Sequence, residues 1–272
     1  MGRRIVFTSG KGGAGKTSVV ANLGIALARR GCKTCLVDAD IGLNNLDVAL
    51  DLENRIVYDI GDILENRCSV SQALIQERNL NKLYILPSAK AADLNKIEMT
   101  SLQKITNELA QNFDYVIIDC PAGVEEGFHR AMLSADEAIV VTTPHISAVR
   151  DADKVISLLS TYKVDFLGVI INRIRGDMVI EKKMMSADEI AKLLRSRLIG
   201  VIPEDDKLSL YSNIHKGNAY RSESNIAYNC LADCIINGKG RLYDYTAPYK
   251  SLINKMFHKI FVKNTAKVEE EG

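Results

Sequence analysis

Nowhere in this chain of 272 residues does an apolar run approach the ~20 residues that a membrane-spanning helix needs. A dominant charge is missing too: 35 basic residues stand against 34 acidic ones, for a net charge of +1. That balance excludes a global pull toward nucleic acid, so any electrostatic partner must be met by a local patch. No proline-rich or serine-rich linker divides the strand and helix patterns, and no internal repeat is present. Met1-Gly2-Arg3-Arg4 leads straight into the first apolar run without a signal-peptide core, and position 6 is Val where a myristoylation signal wants Ser or Thr. The expected location is therefore the cytoplasm.

What is present is ordinary for a soluble α/β protein, with 47% hydrophobic and 25% charged residues and enough length for one large core. Apolar runs that read as buried parallel strands recur at 5–8, 34–37, 83–86, 115–118, 138–142, 166–171 and 198–202. Helical patterns fall between them, at 19–30, 101–111, 148–159 and 187–197. This alternation predicts a doubly wound, mostly parallel sheet with flanking helices. The expected division is a domain over 1–236, a linker over 237–249, an amphipathic helix over 250–263 and an acidic tail over 264–272. Six cysteines are present. Cys32 and Cys35 have C-x-x-C spacing, but Cys35 lies within a strand run and no second metal-like pair is near. The cysteines therefore read as packing residues.

Residues Gly10-Lys11-Gly12-Gly13-Ala14-Gly15-Lys16-Thr17 follow the first strand and precede the first helix. Backbone N–H groups in such a turn form an anion nest, and the helix N-terminus adds positive field. Lys16 then reaches β/γ-phosphates while the Thr17 hydroxyl ligates Mg²⁺. Two further strands end in aspartates, Asp38-Ala39-Asp40 and Asp119-Cys120-Pro121-Ala122-Gly123. An aspartate at a strand end often caps the next turn, but two such ends beside a phosphate loop suit Mg·ATP chemistry.

The loop's second lysine, Lys11, gives it the form K-G-G-x-G-K-[ST]. In this it resembles the deviant Walker A loop of the ParA/MinD class of P-loop ATPases. The segments from Asp38 to Asn45 and from Asp119 to Gly123 resemble the two switch segments of the MinD branch, over roughly residues 3 to 235. By that resemblance Lys11 crosses a dimer interface to the partner's nucleotide. Asp40 orients the attacking water, Asp119 holds the Mg²⁺ shell through water, and Asp38 supports the same region. The resemblance also implies phosphate binding by Gly12, Gly13, Ala14, Gly15, Lys16, Thr17 and Ser18, with adenine contacts from Asn172, Pro203 and Glu204. Asp151 and Asp153, at the start of a helix, match positions that bind a MinC-like inhibitor and a MinE-like activator. The family segment usually has Ser where Cys120 stands, and a proline is missing after Gly217.

At the C-terminus Leu252, Ile253, Met256, Phe257, Ile260 and Phe261 fall on one face of a helix, with Lys250, Lys255, Lys259 and Lys263 on the rest. A basic amphipathic helix of this kind suits an anionic membrane surface, and it matches the membrane-targeting helix of the family. Each large apolar side chain contributes at most ~1.5–3 kcal/mol on burial, and each lysine near anionic lipid ~1 kcal/mol. Ordering costs ~1–2 kcal/mol per residue, so one helix should bind weakly. Two on a dimer gain ~10²–10⁴ in avidity. The resulting expectation is an ATP-dependent homodimer, peripheral on the cytoplasmic face of the membrane, with ATP and Mg²⁺ as cofactors and no nucleic acid. Alternatives are a flagellar-number regulator and a ParA-type DNA-partitioning ATPase. An iron–sulfur carrier is disfavoured, because the cysteines do not fall at that family's ligand positions.

Overall fold

The computed structural model describes residues 1–41, 45–89, 98–205 and 222–250. Its elements run β1 (Arg3–Thr8), α1 (Lys16–Arg29), β2 (Thr34–Asp38), α2 (Asn45–Ala49), α3 (Ile60–Leu64), α4 (Val70–Ala73), β3 (Ile75–Gln76), β4 (Leu83–Leu86) and α5 (Ser101–Asn112). They continue with β5 (Tyr115–Asp119), α6 (Glu126–Leu133), β6 (Glu137–Thr142), α7 (Ile146–Leu159), β7 (Asp165–Ile174), α8 (Gly176–Ile180), α9 (Ala187–Leu193), β8 (Leu198–Pro203) and α10 (Glu223–Asn237). The strands form one sheet in the order β3-β4-β2-β5-β1-β6-β7-β8. All pairings are parallel except that of the edge strand β3 with β4.

Helices cover both faces, which is why the strands read as unbroken apolar runs. Alternate residues of one strand enter opposite cores. Val6, Val116 and Val140 pack toward α5, α6, α7 and α9, whereas Ile5, Phe7, Ile117 and Ile139 pack toward α1 and α10. The doubly wound expectation holds, several element ends differ from it by one to four residues, and two of these differences have a local cause. α9 stops at Leu193 rather than Arg197, because Arg195 adopts φ 49°. The Arg195 N–H then donates to Lys192 O and the Ser196 N–H to Ala191 O, a Schellman closure. β7 runs three residues further than expected, to Ile174, passing through Arg173 at φ 58°.

The stretch expected to be a linker, 237–249, is folded onto the domain. α10 ends at Gly238, in the left-handed conformation at φ 69°. Beyond it Tyr243 packs against one core and Tyr245 against the other. The six apolar residues of the expected amphipathic helix, Leu252 to Phe261, lie outside the described residues, as does the acidic tail. Among the described residues no helix is long and apolar enough to cross a membrane.

Candidate functional site

Ligand sites in this architecture form beyond the carboxyl ends of the strands, and here the chain collects its charged groups there. Asp38 and Asp119 end β2 and β5 directly opposite each other in register. The Ala39 N–H donates to Asp119 O at 2.9 Å and the Gly123 N–H to Ser9 O at 3.2 Å. The first bond joins the two aspartate-bearing strand ends, and the second ties the loop after Asp119 to the loop after β1.

A cavity of about 640 Å³ is lined by the predicted phosphate loop, Gly12 to Ser18, together with Asp40, Pro121, Glu125 and Arg173. Gly15 sets its geometry. This residue has φ 79°, and a Cβ there would lie 2.4 Å from the Asn172 amide nitrogen. Both facts call for glycine. Asn172 Nδ2 donates to Ala14 O at 2.9 Å, so β7 holds the loop from the side. α1 begins without a side-chain cap and without an acidic residue in its first turn. Its orphan N–H groups and positive dipole end are therefore left to a ligand.

Lys16 is buried, and its Nζ lies 2.6 Å from Asp119 Oδ1. Burial opposes the ammonium charge, but the Asp119 carboxylate outweighs it and holds Lys16 above the usual lysine range. Asp119 Oδ2 is buried with no hydrogen-bond partner among the described residues. A buried carboxylate oxygen without a donor is costly, and a metal-bound water would satisfy it, so the residues fit a hydrated divalent cation. Asp38 is buried beneath the same loops. Burial first, and then the Asp119 charge, push its carboxyl up to about 7 against two backbone bonds from Leu46 and Asp40.

A second cavity of about 350 Å³ shares Gly15, Ser18 and Arg173 with the first and is lined further by Asn172, Pro203, Glu204 and Tyr228. The expected base-binding residues are thus brought together beside the phosphate loop. Lys11 stands apart. It is exposed, lines neither cavity, and its Nζ donates to Ser147 Oγ on α7 at 3.3 Å. Asp151 sits directly against the loop, where a Cβ on Gly10 would come within 2.4 Å of its backbone. Its carboxylate accepts from Lys154 at 3.0 Å, and Asp153 is exposed.

Sequence reasoning missed Arg173, Glu125 and Tyr228. Arg173 adjoins a predicted base-binding residue, but nothing in an arginine signals a left-handed turn. Glu125 and Tyr228 belong to no contiguous motif. Cys35, Cys120 and Cys234 are buried, and all six cysteines are free thiols. Among the described residues no group of three or more His, Cys, Asp or Glu side chains gathers as a metal cluster.

Comparison with known proteins converges on one group. Residues 5–217 match the family described as CobQ/CobB/MinD/ParA nucleotide binding domain. The septum site-determining protein MinD of Synechocystis sp. is 43% identical over 261 residues, covering 94% of this chain and 97% of that one. The structure of the MinC:MinD cell division protein complex of Aquifex aeolicus superposes with a TM-score of 0.79 at 40% identity, over 86% of this chain and 96% of that one. MinD complexed with Mg-ADP from Pyrococcus horikoshii gives 0.76 at 31%, over 93% and 100%.

Proposed function

Since the chain belongs to the CobQ/CobB/MinD/ParA nucleotide-binding family, and within it to the septum site-determining MinD proteins, we propose that it is a Mg²⁺-dependent ATPase that dimerises on ATP and binds the cytoplasmic face of the membrane. There it recruits a MinC-like division inhibitor and answers to a MinE-like activator. The likeness to Aquifex MinD in its complex with MinC supports the first partner. The similarity over nearly the whole chain favours septum placement over the flagellar-number and DNA-partitioning readings.

In this reading the nest from Gly12 to Thr17 and the α1 N-terminus bind the phosphates. Lys16 exchanges its Asp119 partner for phosphate oxygens, and Asn172, Pro203 and Glu204 hold the base. Thr17, with Asp38 and Asp119 acting through water, holds Mg²⁺. The cation neutralises charge on the phosphate oxygens when bound. Asp40, on the cavity wall, orients the attacking water.

The observation that carries the proposal is Lys11. An exposed ammonium that lines neither cavity and donates to Ser147 Oγ suits a nucleotide held by a second copy, where it would offset charge on the transferring phosphoryl group. Lys11→Ala should keep ADP affinity within a few-fold. It should lose both the ATP-dependent dimer in light scattering and most turnover. A Lys11→Ala protein that dimerises and hydrolyses ATP like the wild type contradicts the proposal.

A further inference from the structure

We propose that the strap formed by residues 238–250 positions the lip of the base cavity, with Tyr245 and Gly176 as the positioning pair. Through them base occupancy is coupled to the packing of residues 243–250. The inference rests on the nucleotide-binding reading above.

The cavity lip consists of the end of β7, which carries Asn172 and Arg173, and the end of β8, which carries Pro203 and Glu204. The two ends are joined where the Glu204 N–H donates to Ile174 O at 3.0 Å. Gly176 follows four residues after Asn172 and opens α8. The strap backbone lies directly on it: a Cβ at 176 would fall 1.9 Å from the Tyr245 carbonyl oxygen and 3.0 Å from the Tyr249 ring. Only a glycine permits that approach, so the position of Tyr245 and the path of the chain out of the lip are mutually fixed.

The remaining strap contacts clamp the elements that back the cavity. The Tyr245 hydroxyl accepts from the Ala187 N–H at 3.2 Å, one of the orphan donors in the first turn of α9. Tyr243 lies in the field of Glu223 at the start of α10, the helix that brings Tyr228 to the cavity wall. Arg197, just before β8, donates to Gly238 O at 2.5 Å. Arg175, between the lip and Gly176, pairs with buried Asp177 at 2.7 Å and lies in the field of Glu204 and Tyr249. A connector that merely spans a distance needs none of these contacts. Together they make strap and lip one mechanical unit, so a base seated against Asn172 and Glu204 restrains the strap, and a displaced strap loosens the lip. Coupling of this kind is reciprocal.

The test uses the full chain with Mg²⁺, titrated with ADP and GDP, and amide hydrogen exchange over residues 243–250 with and without ADP. In the wild type ADP should bind in preference to GDP and slow exchange across the strap. Gly176→Ala should weaken ADP at least tenfold and narrow its preference over GDP, with far-UV circular dichroism unchanged. Tyr245→Phe, which removes one hydroxyl, should shift both quantities in the same direction by less. It decides the matter, with the exchange data, if Gly176→Ala fails to fold. A general loss of stability would not alter base preference. Wild-type affinity and preference in both variants, or strap exchange indifferent to ADP, overturns the inference while leaving the nucleotide site standing. Failure of the wild-type chain to bind ADP at all overturns the nucleotide reading and this inference with it.

Discussion

At 2.6 Å from Asp119 and almost wholly buried, the Lys16 ammonium has given up water for one carboxylate. Removing one partner of a buried pair leaves an uncompensated charge, at a cost of about 3–5 kcal/mol. Asp119→Ala should therefore lower the stability of the nucleotide-free protein by roughly 3 kcal/mol in urea titrations, and a change near zero would mean that water reaches Lys16. Asp38 makes a pH prediction. Its carboxyl is pushed up to about 7 in the fold, against roughly 3.9 in an unfolded chain. Between those values the folded state binds more protons than the unfolded one, so this group makes stability fall as pH rises from about 4 to about 7 and level off above. Asp38→Asn should remove that slope. Identical stability profiles for the two proteins, measured without nucleotide, would contradict the assignment.

At the scale of elements, α7 is the structure's contact between the phosphate loop and the solvent-facing acids. Asp151 packs its backbone on Gly10, while its carboxylate makes a surface pair with Lys154, a type worth ~0–1 kcal/mol. Asp151→Ala and Asp153→Ala should each change stability by less than about 0.5–1 kcal/mol, because neither side chain is buried. Each should nonetheless abolish co-purification of a MinC-like partner with the ATP-bound protein. Unchanged capture by both variants would move the partner surface elsewhere. The seven long strands were legible because burial on both faces makes them unbroken apolar runs. Helices of four or five residues such as α3, α4 and α8 are too short for a periodic pattern, and β3 has only two residues. The ends of α9 and the course of β7 turn on Arg195 and Arg173 at positive φ, where sequence signals would lead one to expect glycine or asparagine.

For the whole molecule, the phosphate cavity was legible because one contiguous motif builds most of its wall. The base cavity was legible only in Asn172, Pro203 and Glu204, since Tyr228 arrives from α10, far along the chain. The packing of residues 238–250 was not legible in the sequence. Gly238-Lys239-Gly240-Arg241 has the composition of a linker, while Tyr243, Tyr245 and Tyr249 supply the packing that binds it down. If one helix binds weakly and two act together, attachment to lipid should follow nucleotide state. The most direct measurement is co-sedimentation of the full chain with anionic vesicles in Mg·ATP and in Mg·ADP, alongside Lys11→Ala. The account predicts pelleting of the wild type in ATP, little in ADP, and little for Lys11→Ala in either. Equal pelleting in both nucleotides, or pelleting of Lys11→Ala like the wild type, would contradict it.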